Sequence, residues 1–326
     1  MSNSSKSNIW FAIVNPHAGA GKTISEWQKA EIRLRAKKIK YTCAMTEYRR
    51  HALDLVERAA AKGYRKFVAV GGDGTAHEVL NGIMRVYEKI GGRLEDFTLA
   101  VIPIGSGNDW IKAHKVPHDT EAVVDLMAAR SFRRQDVVKV TQLNPDDYEA
   151  EEVRHDYMLN VGGVGFDARV CERVNAQKAN GHGGKLLYVR ALINVLLNSY
   201  SFPARVVADD GTAYEGDCYS MALGIGPYSG GGMRQVPAAC LDDGLLDITV
   251  IPKMPILKLA AQLPKLFNGK LGEVQELIMR QCRSILVLPT ADLVEPIEID
   301  GEVVGHFPAR FEVIPDSITV LTNNLK

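Results

Sequence analysis

The sequence predicts an α/β domain followed by a β-rich domain built as an antiparallel sandwich. Three observations carry that reading. Short, apolar, β-branched runs alternate with helical stretches through the first 130 or so residues. Beyond about residue 134 the pattern becomes many short strand candidates joined by turns. In the first part, three glycine-containing turns directly follow apolar strands.

Residues 9–14 form the first apolar strand, followed by Asn15-Pro16-His17-Ala18-Gly19-Ala20-Gly21-Lys22-Thr23 and a basic helix over 25–38. This turn nearly spells the P-loop, but Pro16 stands where its first glycine belongs. Proline lacks an N–H and fixes φ, so the usual wrap around a β-phosphate is disfavoured. Strands over 41–45, 67–70 and 99–102 alternate with helices over 51–62, 76–87 and 120–129. Such alternation implies right-handed βαβ crossovers and a parallel sheet covered on both faces. Ligands bind such sheets beyond the carboxyl ends of the strands.

At one of those ends lies Gly71-Gly72-Asp73-Gly74-Thr75, a tight turn between the third strand and its helix. Its glycines leave the backbone free to aim N–H groups at one anion, helped by the partial charge of the helix N-terminus. Asp73 would repel a phosphate unless it holds a cation or accepts a hydrogen bond, which points to a Mg²⁺-nucleotide; a plain βα turn is the bland alternative. Pro103-Ile104-Gly105-Ser106-Gly107-Asn108-Asp109 is a third turn at the same edge, with a hydroxyl at Ser106 and polar groups or a helix cap at Asn108 and Asp109. Three such turns on one edge favour a nucleotide site.

From residue 134 onward, strand candidates fall at 137–142, 157–161, 204–208, 219–225, 246–251, 284–288, 297–299, 310–313 and 318–321. Short strands at such spacing suit a sandwich or barrel. The polar stretch 144–156 reads as an exposed loop. A helix over 185–198, apolar nearly all round, reads as core packing. Another over 256–267 carries Lys258 and Lys265 among Leu and Ala; it reads as a covering helix or as a membrane-surface contact. Two acidic turns stand out: Cys240-Leu241-Asp242-Asp243-Gly244-Leu245, and Asp300-Gly301-Glu302 between apolar runs. Each could be a hairpin turn or an oxygen cage for a hard cation, and periodicity does not choose.

Composition narrows the classes. At 46% hydrophobic and 24% charged, the chain is of globular type, and no apolar run reaches the ~18 residues of a membrane span. No signal peptide is read at residues 1–7, so a cytoplasmic location is expected. Five scattered cysteines and eight dispersed histidines give no disulfide framework or zinc spacing. Nucleic-acid binding is not expected, since there is no basic arm and no aromatic–basic cluster. Net charge is zero, yet residues 1–134 hold 22 Lys+Arg against 14 Asp+Glu and the remainder 17 against 25. That asymmetry suits a nucleotide-binding half and an acidic half, and solvated surface charge explains it about as well.

The ordered set Asn15-Pro16 with Gly19, Gly71 to Thr75, Pro103-x-Gly105-Ser106-Gly107-Asn108-Asp109, Asn160-Val161 with Gly165-Phe166-Asp167, Gly230-Gly231-Gly232, Asp243-Gly244-Leu245-Leu246-Asp247 and Asp300-Gly301-Glu302 resembles the diacylglycerol kinase-like lipid kinases. The similarity runs from about residue 9 to the C-terminus. It implies a nucleotide-binding domain like those of phosphofructokinases and NAD kinases, over 1–133, and a β-sandwich domain over 134–326, with the last strand segment free to return to the first. It also implies ATP and Mg²⁺ in the cleft between the domains and a bacterial-type soluble enzyme. By position, Asn15, Pro16, His17, Ala18, Gly19, Thr46, Gly71, Gly72, Asp73, Gly74, Thr75, Ser106 and Asn108 would line ATP. Glu302 would be the general base, with Asp300 beside it near catalytic metal, and Asp73 would carry part of the Mg²⁺; these three are the expected catalytic residues. Asp243, with the carbonyls of Cys240 and Leu245, would hold a structural Mg²⁺. Ser106 stands where threonine is commoner, and Ile225-Gly226 replaces a frequent Asn-Gly near the acceptor side.

The expected reaction is ATP- and Mg²⁺-dependent transfer of the γ-phosphoryl group to a lipid hydroxyl, of diacylglycerol or a related lipid. The partners are ATP, the lipid and, transiently, a membrane surface, so the enzyme is expected to be cytoplasmic and peripheral to the membrane; a homodimer is left open. The alternatives are a kinase of a soluble cofactor such as NAD, and a nucleotide-binding regulatory module without catalysis.

Overall fold

A computed structural model of the chain describes residues 6–105, 107–179, 201–292 and 294–324. Ser106 and the expected helix over 185–198 lie outside the described residues. The chain divides into two compact units, Met1–Gln135 with Asp316–Lys326, and Asp136–Pro315.

In the first unit, β1 (Trp10–Val14), β2 (Tyr41–Met45), β3 (Lys66–Gly71) and β4 (Thr98–Pro103) pair in parallel in the order β4–β3–β1–β2. Thr319 and Val320 of β15 (Ala309–Leu321) add a parallel partner outside β4. The continuous apolar runs have their reason here: Ile13, Val14, Phe67 to Val70 and Leu99 to Ile102 are all buried, as strands covered on both faces must be. Helix α1 (Thr23–Ala36) buries Trp27, Ala30 and Leu34, one stripe at helical spacing. Helices α2 (His51–Ala61) and α3 (Asp73–Ile90) approach closely at Gly82, where an added Cβ would lie 2.7 Å from the Cβ of Val56. α4 (Asp109–Ala113) is one short turn. α5 (Thr120–Ala129) is capped by Asp119, which accepts from the Ala122 N–H at 2.8 Å. Arg33 of α1 grips Asp125 of α5 through two bonds, at 2.9 and 2.6 Å. That guanidinium, with Lys37, holds the Asp125 carboxyl down at about 2.

The second unit is antiparallel. β14 (Glu302–His306), β13 (Pro296–Ile299), β7 (Val161–Gly165), β9 (Gly211–Gly224), β8 (Phe202–Ala208), β12 (Ser284–Pro289) and the start of β15 are neighbours in that order. β10 (Leu246–Pro252) pairs with β9 and with β11 (Ile278–Cys282). Its core includes Phe202, Met221, Leu223, Ile285, Val287 and Phe311. Helix α6 (Phe166–Ala179) follows β7, and helix α7 (Ile256–Asn268) follows β10. No described helix is long and apolar enough to cross a membrane.

Several expectations are corrected. The stretch 144–156 is no loop: β6 (Asp147–Met158) pairs antiparallel with β5 (Phe132–Asn144) from Asn144↔Asp147 to Val138↔Met158. Among the described residues β6 pairs with β5 alone, and such an edge strand tolerates charged side chains that read as loop in a sequence. The two segments 310–313 and 318–321 form the single strand β15. α3 starts at Asp73 rather than Ala76, so Asp73, Gly74 and Thr75 open the helix, while Gly71 ends β3 and Gly72 is the N-cap. β11, β14 and α6 were not expected.

Candidate active site

The carboxyl ends of β1 to β4 gather the expected nucleotide residues of the first unit. Asn15 opens the loop after β1. Its Oδ1 accepts from the His17 N–H at 3.1 Å and its Nδ2 donates to Thr75 Oγ1 at 3.2 Å, which joins the first and second turns. Residues Ala18–Gly21 form a 3₁₀ turn, and Gly19, at φ 60°, lies so close to Ile104 that an added Cβ would meet its Cγ2 at 2.5 Å. Thr46, just past β2, is buried and donates its N–H to the Val14 carbonyl. Gly71 leaves room for Thr75, whose Oγ1 would lie 2.3 Å from an added Cβ.

The third turn closes on the second. Asn108, in the left-handed region at φ 51°, donates through Nδ2 to the Gly105 carbonyl at 3.1 Å. Its Oδ1 has no partner although the residue is only 2% exposed. Built Cβ atoms at Gly105 and Gly72 would lie 3.2 and 3.5 Å from that oxygen, so glycine at both places keeps the space beside it open. A buried acceptor without a donor is costly unless a ligand or water satisfies it.

Asp73 has a defined structural task. Its Oδ2 accepts from the Asp109 N–H at 3.0 Å and its Oδ1 from the Trp110 N–H at 3.4 Å, so the carboxylate caps α4. Carboxylate oxygens carry further lone pairs, and this capping is compatible with ligation of a cation. Asp109 pairs with Lys112. Deeper, His114 Nε2 and Trp110 Nε1 both meet Gln135 Oε1, at 2.6 and 3.0 Å. Complete burial pushes the His114 imidazole down to about 4, against the opposing bond from Gln135.

In the second unit, Asp300-Gly301 is the two-residue turn of the β13–β14 hairpin, with φ 53° and 86°, as expected of an Asp-Gly turn of type I′. Asp300 accepts the Leu159 N–H on Oδ2 at 2.9 Å and the Asn160 N–H on Oδ1 at 3.0 Å, and donates its own N–H to the Val161 carbonyl. The Gly301 N–H donates to Glu298 at 3.0 Å, and the Cys171 thiol donates to the Gly301 carbonyl at 3.0 Å. Glu302, half-buried, thus opens β14 from a turn fixed on several sides. Asn160 extends the network: its Nδ2 donates to the Tyr228 carbonyl at 2.7 Å, at the edge of the triple-glycine loop.

The third group lies before β10. Asp243 Oδ1 accepts from the Leu245 N–H at 3.0 Å, the Cys240 thiol donates to Asp242, and buried Asp136 accepts the Gly244 N–H at 2.7 Å. Burial, with a smaller push from Asp243, raises Asp247 to about 6. No group of three or more His, Cys, Asp or Glu side chains suited to a metal occurs among the described residues. The expected site uses one carboxylate, Asp243, and the two carbonyls of Cys240 and Leu245. Asp136, Glu298 and Cys171 were missed in the sequence; a lone acid ahead of the apolar run Val137-Val138 was the available signal for Asp136.

A parallel sheet with phosphate-type turns at its carboxyl edge defines the first unit as one of the α/β nucleotide-binding class. Residues 10–140 match the diacylglycerol kinase catalytic domain, and residues 160–322 match the YegS C-terminal NAD kinase beta sandwich-like domain. The chain belongs to the diacylglycerol kinase-like lipid kinase family, and is a kinase with an alcohol group as acceptor. A "Diacylglycerol kinase" of Staphylococcus aureus strain MRSA252 is 25% identical over 96% of this chain and 91% of its own length. A "Probable lipid kinase YegS-like" of Pseudomonas aeruginosa is 29% identical over 82% of this chain and 79% of its own. A crystal structure described as a diacylglycerol kinase from Bacillus anthracis strain Sterne shares the fold, with a TM-score of 0.71 and 22% identity over 97% of each chain.

Proposed function

We propose that the protein transfers the γ-phosphoryl group of ATP to the hydroxyl of diacylglycerol or a related lipid, with Mg²⁺. The observation that carries the nucleotide half is the edge where the three turns meet, with the orphaned Asn108 Oδ1 facing Gly72 and Gly105. In this reading Asn15, Pro16, His17, Ala18, Gly19, Thr46, Gly71 to Thr75, Ser106 and Asn108 line ATP. Asn108 Oδ1 takes a donor from it. Asp73 holds catalytic Mg²⁺ while capping α4, and Asp243 with the Cys240 and Leu245 carbonyls holds a structural one. When bound, Mg²⁺ neutralises charge on the phosphate oxygens.

Glu302 takes the proton of the lipid hydroxyl at a carboxylate oxygen as that hydroxyl attacks the γ-phosphorus. One O–P bond forms, the bond to the bridging oxygen breaks, and ADP leaves. The base is held in place by the Asp-Gly turn, whose N–H and C=O groups are bonded to Glu298, Cys171 and Val161. Asp300 serves by positioning: both its oxygens accept backbone N–H groups. A lipid acceptor also requires the protein to meet a membrane surface. Glu302→Gln should lower turnover on the identified lipid by about 10²- to 10⁴-fold without weakening ATP binding. Wild-type turnover in that variant would remove Glu302 from the mechanism.

A further inference from the structure

Strand register brings three loops to one end of the second unit's sheet. β7 runs antiparallel to β9, with Val161 opposite Gly224, and to β13, with Gly162 opposite Ile299. The start of β7, the end of β9 and the turn after β13 therefore share that end, and Glu302 opens β14 there. After β9 the chain forms a loop over 225–233 that closes on itself: the Ser229 carbonyl accepts the Gly232 and Met233 N–H groups at 3.0 and 2.8 Å. Gly230, Gly231 and Gly232 have φ of 53°, 88° and 111°, and a Cβ built at Gly231 would meet nothing within 4 Å. A stretch of backbone without side chains thus stands at the end of the sheet that carries the candidate base.

Asn160, only 5% exposed, joins these loops. Its N–H donates to Asp300 Oδ1 at 3.0 Å, and its carbonyl accepts the Ile225 and Gly226 N–H groups at 3.0 and 3.2 Å. Its Nδ2 donates to the Tyr228 carbonyl at 2.7 Å. A Cβ at Gly226 would lie 2.1 Å from Asn160 Oδ1, so glycine there is what admits the amide. Oδ1 itself has no hydrogen-bond partner among the described residues. A side chain kept for folding alone satisfies both ends of its amide, whereas a buried unsatisfied acceptor is a local cost of the kind met at functional sites. We propose, resting on the lipid-acceptor reading above, that Asn160 is a positioning residue of the acceptor site. It holds the triple-glycine loop beside Glu302, and the lipid hydroxyl is delivered between that loop and the base. Asp300 grips Asn160 from the hairpin and Tyr228 receives it on the loop, so a shift of this one amide moves the loop against the base.

The test compares the full-length wild type with Asn160→Asp and Gly226→Ala, on the lipid that wild type labels in a detergent-dispersed total extract. An ionised carboxylate at 160 cannot donate to the Tyr228 carbonyl, whereas the protonated acid has the shape of the amide and can. Asn160→Asp should lose on the order of 100-fold in kcat/KM for the lipid at pH ~8, with KM for ATP unchanged. Relative to wild type it should recover as pH falls to ~6, because burial beside Asp300 raises such a carboxyl. Gly226→Ala, which drives a Cβ against the same amide, should lose in the same direction without that recovery. In a Glu302→Gln background Asn160→Asp should cost less than about threefold more, because groups that act through one another are not additive. Wild-type lipid kinetics in both variants overturn the proposal, as does a loss that ignores pH and adds in full to that of Glu302→Gln. Hydrogen exchange reads the same coupling without substrate: the Gly232, Met233 and Gly301 amides should exchange about fivefold faster in Asn160→Asp. Unchanged exchange at those amides also overturns it. Wild type that labels no lipid removes the kinase reading, and the exchange result then decides by itself whether Asn160 joins loop and hairpin.

Discussion

Replacing Asp300 tests how the candidate base is held. Its carboxylate accepts the Leu159 and Asn160 N–H groups at 2.9 and 3.0 Å, and its backbone sits at φ 53°. A hydrogen bond to a charged group contributes about 1.5–3 kcal/mol, so Asp300→Ala should lose about 3–6 kcal/mol from the two bonds. Alanine in the left-handed region adds roughly 1–2 kcal/mol. Against a typical stability of about 5–15 kcal/mol, that loss brings the variant close to unfolding. Asp300→Asn is the sharper perturbation, because asparagine suits the turn and keeps one acceptor oxygen while placing an NH₂ against the second N–H. It should cost about 1–3 kcal/mol. Urea unfolding measures the loss, and hydrogen exchange at the Leu159 and Asn160 amides localises it. Turnover should fall while the Mg²⁺ concentration for half-maximal rate stays unchanged. Wild-type stability and exchange at both amides, or a large shift in Mg²⁺ dependence, would refute the positioning role.

Other consequences follow from the first unit. Gly71→Ala would place a Cβ 2.3 Å from Thr75 Oγ1 and displace the hydroxyl that Asn15 bonds at 3.2 Å. Loss of that bond, about 1 kcal/mol, should weaken ATP binding about fivefold in a titration with a fluorescent ATP analogue; unchanged affinity would detach this pair from the nucleotide site. His114, lowered to about 4 from 6.5, remains neutral in the folded protein while the unfolded chain takes up a proton. Its contribution is therefore intact above pH ~6.5 and is lost as pH falls towards ~4, by about 3 kcal/mol in all. The pH slope of unfolding between those limits should flatten in His114→Gln, and an identical slope would contradict the assignment.

The parallel sheet was legible because β1, β3 and β4 are largely buried and so read as apolar runs, whereas β2, at the end of the sheet order, has only half-buried and exposed residues; β1 to β4 lie within one residue of expectation at each end. The glycine turns were legible for a related reason, since Gly19 and Gly71 admit no side chain beside Ile104 and Thr75. The antiparallel half was harder. Among the described residues β6 pairs with β5 alone, so its acids resembled a loop, and β14 is too short for alternation to show. Local spacing also left Asp300-Gly301-Glu302 as either a hairpin or a site; it is a hairpin turn, and the geometry is compatible with both roles. Partnerships distant along the chain were invisible: Asp136 bonds Gly244 across 108 residues, and Asp300 bonds Asn160 across 140. Asp73 shows the converse, a residue chosen for phosphate chemistry that also caps a helix 36 residues away.

The most direct measurement of the central claim is transfer of label from γ-³²P-ATP with Mg²⁺, supplying in parallel a detergent-dispersed total lipid extract and NAD. The account predicts label in an organic-soluble phospholipid product, absent from Glu302→Gln and absent from NAD. Label on NAD with none in the lipid fraction would contradict it.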